Sequence, residues 1–138
     1  MICPGKGQYR DKIKSLALKV KNLEFIDSVH FNDIDKYFKN AKIFISTSIY
    51  EGFPNTFVQA AKNSTPIVSL NINPDNILND FFIGFHSQNF AQLKDDLKTL
   101  LYDKQLYNKI SNNSYEYAKD NHNIEKIGQQ FEDILLNF

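Results

Sequence analysis

Residues 42–47, "KIFIST", and residues 66–70, "PIVSL", are two short apolar runs with no polar alternation. A strand with one wet face would alternate. A run apolar on both sides suits a parallel strand covered on both faces. Parallel neighbours need a crossover, and residues 55–63, "NTFVQAAKN", lie between the two runs with helical spacing. This pair of runs constrains the fold more than any other feature of the chain. Pro66 sits at the first position of its strand, where a missing N–H is tolerated.

The remaining segments agree. "MIC" is a brief apolar run ending at the turn cluster "PGKG", and Tyr9 to about Val20 carries Ile13, Leu16, Ala17 and Val20 at the helical period. "LEFIDSV" reads as a strand, and "IDKYFKNA" as a short helix capped by Asn32 or Asp33. "NINPDN" reads as a turn-rich loop and "FIGF" as a last short strand. From Phe90 the pattern is helical to the end, with breaks near Asp103 and near "DNHN". Strand and helix in alternation predict an α/β fold, a Rossmann-like, mainly parallel sheet flanked by helices.

Composition removes several function classes. At 138 residues the chain predicts one domain, 1–138, on the usual scale of about 100–200 residues per domain. Sixteen basic and sixteen acidic side chains cancel, so no net field recruits nucleic acid or a membrane surface. Cys3 is the only cysteine, which excludes a disulfide framework and a cysteine-based zinc site. No apolar run approaches about 18 residues and no signal-peptide pattern opens the chain. The expectation is a soluble, cytoplasmic domain without repeat or linker.

Ligands of open parallel sheets collect beyond the carboxyl ends of the strands, near helix N-termini. Residues 46–69, "STSIYEGFPNTFVQAAKNSTPIVS", lie at such a place. The strand Lys42–Thr47 delivers Ser48 and Glu51 to that edge. Gly52 opens backbone conformations closed to other residues, and Pro54 suits the first helical position. The N–H groups of Asn55, Thr56 and Phe57 then lack intrahelical partners and, with the helix dipole, suit a phosphate. Glu51 beside that anion reads as an acceptor for hydroxyls on the same ligand. Gln59, one turn beyond Asn55, can bind hydroxyls as well. Phosphate with several hydroxyls describes a nucleotide sugar; one surface Glu and one chance Gln at a helix start is the plainer alternative.

The stretch "STSIYEGFPNTFVQAAKNSTPIVSLNINPD" resembles the donor-binding segment of the family 4 retaining glycosyltransferases, whose signature is a Glu, seven residues and a second Glu. "ICPGKGQYRDKI", "NLEFIDSVHFNDIDKYFKNAKIFIST" and "YAKDNHNIEKIGQQFEDIL" resemble flanking family segments in order and spacing. The resemblance implies the C-terminal half of a two-domain GT-B architecture. It implies that Glu51, as the catalytic-site acid, holds donor-sugar hydroxyls, and that Gln59 stands where the ribose is bound. Backbone N–H groups at Phe53, Asn55 and Thr56, beside Gly52, would meet the diphosphate, and Val29 would lie near the base. The donor would be a UDP- or GDP-sugar and transfer to an acceptor hydroxyl would retain the anomeric configuration, in glycan or cell-surface polysaccharide biosynthesis. Protein donors would stabilise the leaving group, without a metal or other cofactor.

Two departures stand out. Gln59 replaces the second Glu, keeping hydrogen bonding to a ribose but losing charge-assisted strength. The chain also begins at what would be the family's second strand, so the first strand and the Arg and Lys that follow it are expected to be missing, together with the N-terminal acceptor-binding domain. Lys6 belongs to a different turn. The chain alone is therefore expected to be inactive, in a longer protein that is cytoplasmic or peripheral to the membrane. Two rival readings stay open: a non-catalytic module binding a nucleotide sugar or phospho-ligand, and an inactive fragment acting as an assembly partner through exposed sheet edges.

Other signals carry less. "GKG" at Gly5–Gly7 lacks the rest of a phosphate-loop or dinucleotide fingerprint. "DID" at Asp33–Asp35 opens a helix, where acids favour the dipole. His30, His86 and His122 have no spacing for a shared metal, and His122, just before a helix cap at Asn123, reads as a surface residue. Phe81, Phe82 and Phe85 read as core or interdomain contacts.

Overall fold

The computed structural model describes residues 9–137. The expected first run "MIC", the "PGKG" turn, Cys3 and Lys6 lie outside the described residues. The chain divides into two compact units, residues 1–36 and residues 37–138.

In the first unit the apolar period of Ile13, Leu16 and Ala17 forms α1 (Arg10–Ala17). Arg10 bonds Asp27, and Lys14 reaches the same carboxylate at 4.0 Å. Exposed pairs of this kind contribute about 0–1 kcal/mol, so they orient the turn and do little for stability. The strand expected over "LEFIDSV" is reduced to a single bridge residue, Ile26. A strand exists only through its ladder, and Asp27 and Ser28 turn the run polar directly after Ile26. α2 (Phe31–Asn40) begins before either expected cap. His30 supplies the acceptors instead: its Nδ1 accepts from the Asn32 N–H at 3.3 Å and its carbonyl from the Asp33 N–H at 2.9 Å. Asp33 lies in the first turn, where the dipole favours it, and pairs with Lys36 at 3.2 Å.

The second unit holds a parallel three-stranded sheet, β1 (Phe44–Ser46), β2 (Ile67–Ser69) and β3 (Gly84–His86), in the order β1-β2-β3. Ile45, Val68 and Phe85 share one register row. α3 (Asn55–Lys62) is the crossover between β1 and β2. Every residue of β2 is buried, as its unbroken apolar run predicts. In β1, at the end of that order, Ile45 is 44 % exposed, so covering of both faces fails there. The "NINPDN" loop contains a turn of 3-10 helix, Pro74–Asn76, followed by α4 (Ile77–Asp80). Neither was expected, because the positive φ of Asp75 (47°) and Asn76 (55°) sets that turn and leaves no apolar period.

One face of the sheet packs Val68 and Phe85 against Leu93, Leu97 and Leu100 of α5 (Phe90–Tyr102) and Ile110 of α6 (Lys104–Asn121). The other places Phe44 edge-on to Phe38 of α2 and Phe57 of α3, with ring centroids 5.3 and 6.2 Å apart. Full burial of an Ile, Leu or Phe contributes about 1.5–3 kcal/mol, so these two layers hold the unit together. Phe82 and Phe85 pack on the core cluster, while Phe81 lies half-exposed against Tyr117. A Cβ added at Gly84 would overlap the carbonyl of Ile67, so glycine is what lets β3 approach β2.

The last three helices start at side-chain caps. Asn89 caps α5, Asp103 caps α6, and Asn123 caps α7 (Ile124–Leu136) by accepting from both Glu125 and Lys126 N–H groups. Asp96 is buried and satisfied, accepting from Ser87 Oγ at 2.6 Å and Gln92 Nε2 at 2.8 Å. α6 is tied to the chain before β3: Ser114 Oγ donates to the Ile83 carbonyl at 3.2 Å and Asn113 Nδ2 to the Phe82 carbonyl at 3.2 Å. α7 buries no residue, and Ile127, Phe131 and Ile134 stay exposed along it. Among the described residues no helix is long and apolar enough to cross a membrane.

Candidate functional site

The site is built on the loop that leaves β1 at Ser46 and enters α3 at Asn55. Its first part is fixed by the neighbouring strand. Asn71, two residues past β2, donates from Nδ2 to the carbonyls of Ser48 (3.2 Å) and Thr47 (3.4 Å). Within the loop, Ser48 Oγ donates to Glu51 Oε1 at 2.5 Å. One carboxylate oxygen is thus oriented by the protein, and the exposed remainder keeps lone pairs for a ligand.

Gly52 corrects its expected role. Its φ lies outside the left-handed region, and a Cβ there would meet nothing within 4 Å. The backbone does not demand glycine at this point; what glycine leaves is open space beside Glu51. Pro54 is buried and stands at the N-cap of α3, with φ −71° and ψ 120°, so it is one position earlier than expected. The shift follows from that extended ψ, which places Pro54 outside the helical region.

The start of α3 has no side-chain cap and no acid in its first turn. The Phe57 N–H, expected to be free, donates to the Pro54 carbonyl at 2.9 Å, a tight first turn. The N–H groups of Asn55 and Thr56, both residues exposed, have no hydrogen-bond partner among the described residues. Unpartnered N–H groups at the positive end of a helix dipole attract an anion. Gln59 follows one turn later, half-buried, and its side-chain amide has no hydrogen-bond partner among the described residues. Glu51, Gly52, Phe53, Asn55, Thr56 and Gln59 therefore occupy one loop and the first turns of one helix. Val29 belongs to the first unit, half-buried just before α2.

Two residues that reach this loop carry no site signal in the sequence. Asn71 is the first. The other is His122, whose ring lies 5.5 Å from that of Phe53 and whose Nε2 is 3.2 Å from the hydroxyl of Tyr117 behind it. His122, expected at the surface, is half-buried, and that burial lowers its pKa below the usual 6.5. Burial also raises the pKa of Tyr117, with the charge of Asp75 adding to it. Nothing in the local pattern of "DNHN" separates a ring that meets a distant loop from one in water.

A concavity of about 340 Å³ that includes none of these loop residues is lined in part by Asp80, Glu116 and Asp120. Three carboxylates make it a poor receptor for a phosphate. Among the described residues no group of three or more His, Cys, Asp or Glu side chains could hold a metal ion.

The family model described as glycosyl transferases group 1 matches residues 1–117. The chain belongs to that family. No curated protein sequence matches it. Among solved structures, Anabaena HepE in complex with UDP superposes with a TM-score of 0.76 at 20 % identity, over 99 % of this chain and 40 % of that one. Sucrose-phosphate synthase from Thermosynechococcus elongatus gives 0.74 at 17 % identity, over 99 % and 39 %. WaaG, a glycosyltransferase involved in lipopolysaccharide biosynthesis, gives 0.72 at 20 %, over 96 % and 37 %. This group 1 chain thus spans about two-fifths of the length of these structures. Its fold is that of the Rossmann-like C-terminal half of a GT-B architecture.

Proposed function

We propose that this group 1 chain is the donor-binding half of a retaining glycosyltransferase. It takes a nucleotide sugar such as a UDP- or GDP-sugar, and an acceptor-binding domain outside these residues holds the acceptor molecule whose hydroxyl receives the sugar. The observation that carries the reading is the juxtaposition of Glu51, oriented by Ser48, with the uncapped start of α3. An anion held by Asn55 and Thr56 N–H groups would sit beside a carboxylate that repels it but accepts hydroxyls, and a sugar linked to a diphosphate satisfies both. Hydrogen bonds to charged groups contribute about 1.5–3 kcal/mol each, enough for a few of them to select such a ligand.

In the reaction the diphosphate leaves with negative charge, and N–H groups fixed beforehand stabilise that charge without reorganising. Glu51 holds sugar hydroxyls and so orients the anomeric carbon. The Gln59 amide takes the ribose hydroxyls. The UDP bound in the HepE structure supports the donor class, and the involvement of WaaG in lipopolysaccharide biosynthesis supports a polysaccharide pathway. Calorimetric titration of the chain with UDP, GDP, their sugars and a control nucleoside monophosphate tests the reading. A nucleoside diphosphate or its sugar should bind more tightly than the monophosphate. Absence of binding up to millimolar ligand would defeat it.

A further inference from the structure

We propose that His122 is a positioning residue for the donor loop, acting through the ring of Phe53. With regard to ligand, this rests on the donor-site reading above; with regard to the loop itself, it stands on geometry alone. His122 is held from two sides. Its N–H donates to the Ala118 carbonyl at 2.9 Å and closes α6, and its Nε2 lies 3.2 Å from the hydroxyl of Tyr117. Tyr117 is itself buried and packs on Phe81, with ring centroids 4.6 Å apart. The next ring in the row, 5.5 Å from His122 and tilted by 45°, is Phe53, which is 40 % exposed.

The loop needs such a support. Between Glu51 and Pro54, ahead of the α3 ladder, the only described backbone hydrogen bond is the one that Pro54 accepts from Phe57. Ser48 orients the Glu51 side chain and Asn71 anchors residues 47 and 48, both upstream of Gly52. From Gly52 to the start of α3 at Asn55, side-chain packing must hold the chain, and the Phe53 ring lies against His122. Groups fixed before a ligand arrives spare it the entropy of ordering them, which is why the contact matters for binding as well as for shape. Loss of the imidazole should leave the α6 cap intact, because that bond is made by the backbone.

Backbone ¹⁵N relaxation of the ligand-free chain decides the matter first. In His122→Ala, order parameters at Phe53, Asn55 and Thr56 should fall from about 0.85 towards 0.6, while those of β2 stay unchanged. His122→Phe, which restores a ring, should bring them back. Phe53→Ala approaches the contact from its exposed side and should loosen the same amides, which keeps the test decisive should His122→Ala fail to fold. Titration with UDP and GDP then reads function: His122→Ala should bind about 5–10-fold more weakly and His122→Phe near the parent value. Unchanged order parameters in both alanine variants, or equal loosening in His122→Phe, would overturn the inference. Should the parent chain bind neither nucleotide, the donor-site reading fails while the relaxation data still judge His122.

Discussion

The hydroxyl of Ser48 donates to Oε1 of Glu51 over 2.5 Å, three residues apart on an exposed loop. This bond orients the carboxylate while leaving its other lone pairs free, as an acceptor for sugar hydroxyls requires. Glu51→Ala should therefore weaken a UDP- or GDP-sugar by about 10–100-fold, the worth of charge-assisted hydrogen bonds, and the bare nucleoside diphosphate much less. Ser48→Ala should cost a smaller factor, since it frees the carboxylate without removing it. Parallel titrations with sugar and diphosphate check this, and equal losses for both ligands would place Glu51 elsewhere in the site.

Gln59 offers the opposite experiment. Its half-buried amide stands one turn beyond the α3 start with no internal partner among the described residues. Gln59→Glu turns a neutral acceptor into a charged one, and such hydrogen bonds are roughly twice as strong. Nucleotides with both ribose hydroxyls should bind about 3–10-fold tighter, and their 2′,3′-dideoxy forms should gain nothing. A gain shared by the dideoxy ligands would show that the new charge does not act on the ribose.

Gly84 carries a structural prediction. An alanine methyl would overlap the Ile67 carbonyl inside a parallel ladder, and backbone cannot yield as a flexible side chain can. Gly84→Ala should lower stability by about 3 kcal/mol or more, in the range of severe overpacking. Urea midpoints compared with Gly128→Ala, whose added methyl meets nothing within 4 Å, provide the control.

The pH dependence of stability should carry the mark of His122. Burial lowers its pKa in the folded chain below the ordinary 6.5, so between those two values the unfolded chain binds the additional proton. Its contribution is complete above pH 6.5 and is lost as pH falls through the folded value. Thermal midpoints of the parent should fall below pH 6.5 more steeply than those of His122→Phe, which has nothing to protonate there. Identical slopes would contradict the burial of this ring.

The sequence revealed the scaffold because the scaffold is local. Apolar runs at 42–47 and 66–70 announce β1 and β2, the helical period from Phe90 announces α5, and the break near Asp103 and the cap at Asn123 announce the next two helix starts. The loop of Glu51 was legible for the same reason, since Gly52, Pro54 and a helix period fall in sequence. What sequence could not reveal is carried by distance. Asn71 lies 23 residues from the Ser48 carbonyl it holds. His122 meets Phe53 only after α6 has packed along α3, and no spacing rule records a contact made by tertiary packing. At Gly52 and Pro54 the backbone differs from what the residue types suggest, because a residue type permits several conformations and the fold chooses one.

α7 has a consequence for how the molecule comes apart. Its thirteen residues have a double cap at Asn123 and an ion pair between Lys126 and Asp120, yet none of its side chains is buried. A helix of about that length is marginal in water when local forces alone sustain it. Heat should therefore unwind α7 before the sheet yields, so that loss of helicity begins while the aromatic core around Phe44 and Phe57 is still intact. The chain melts from its last helix inward.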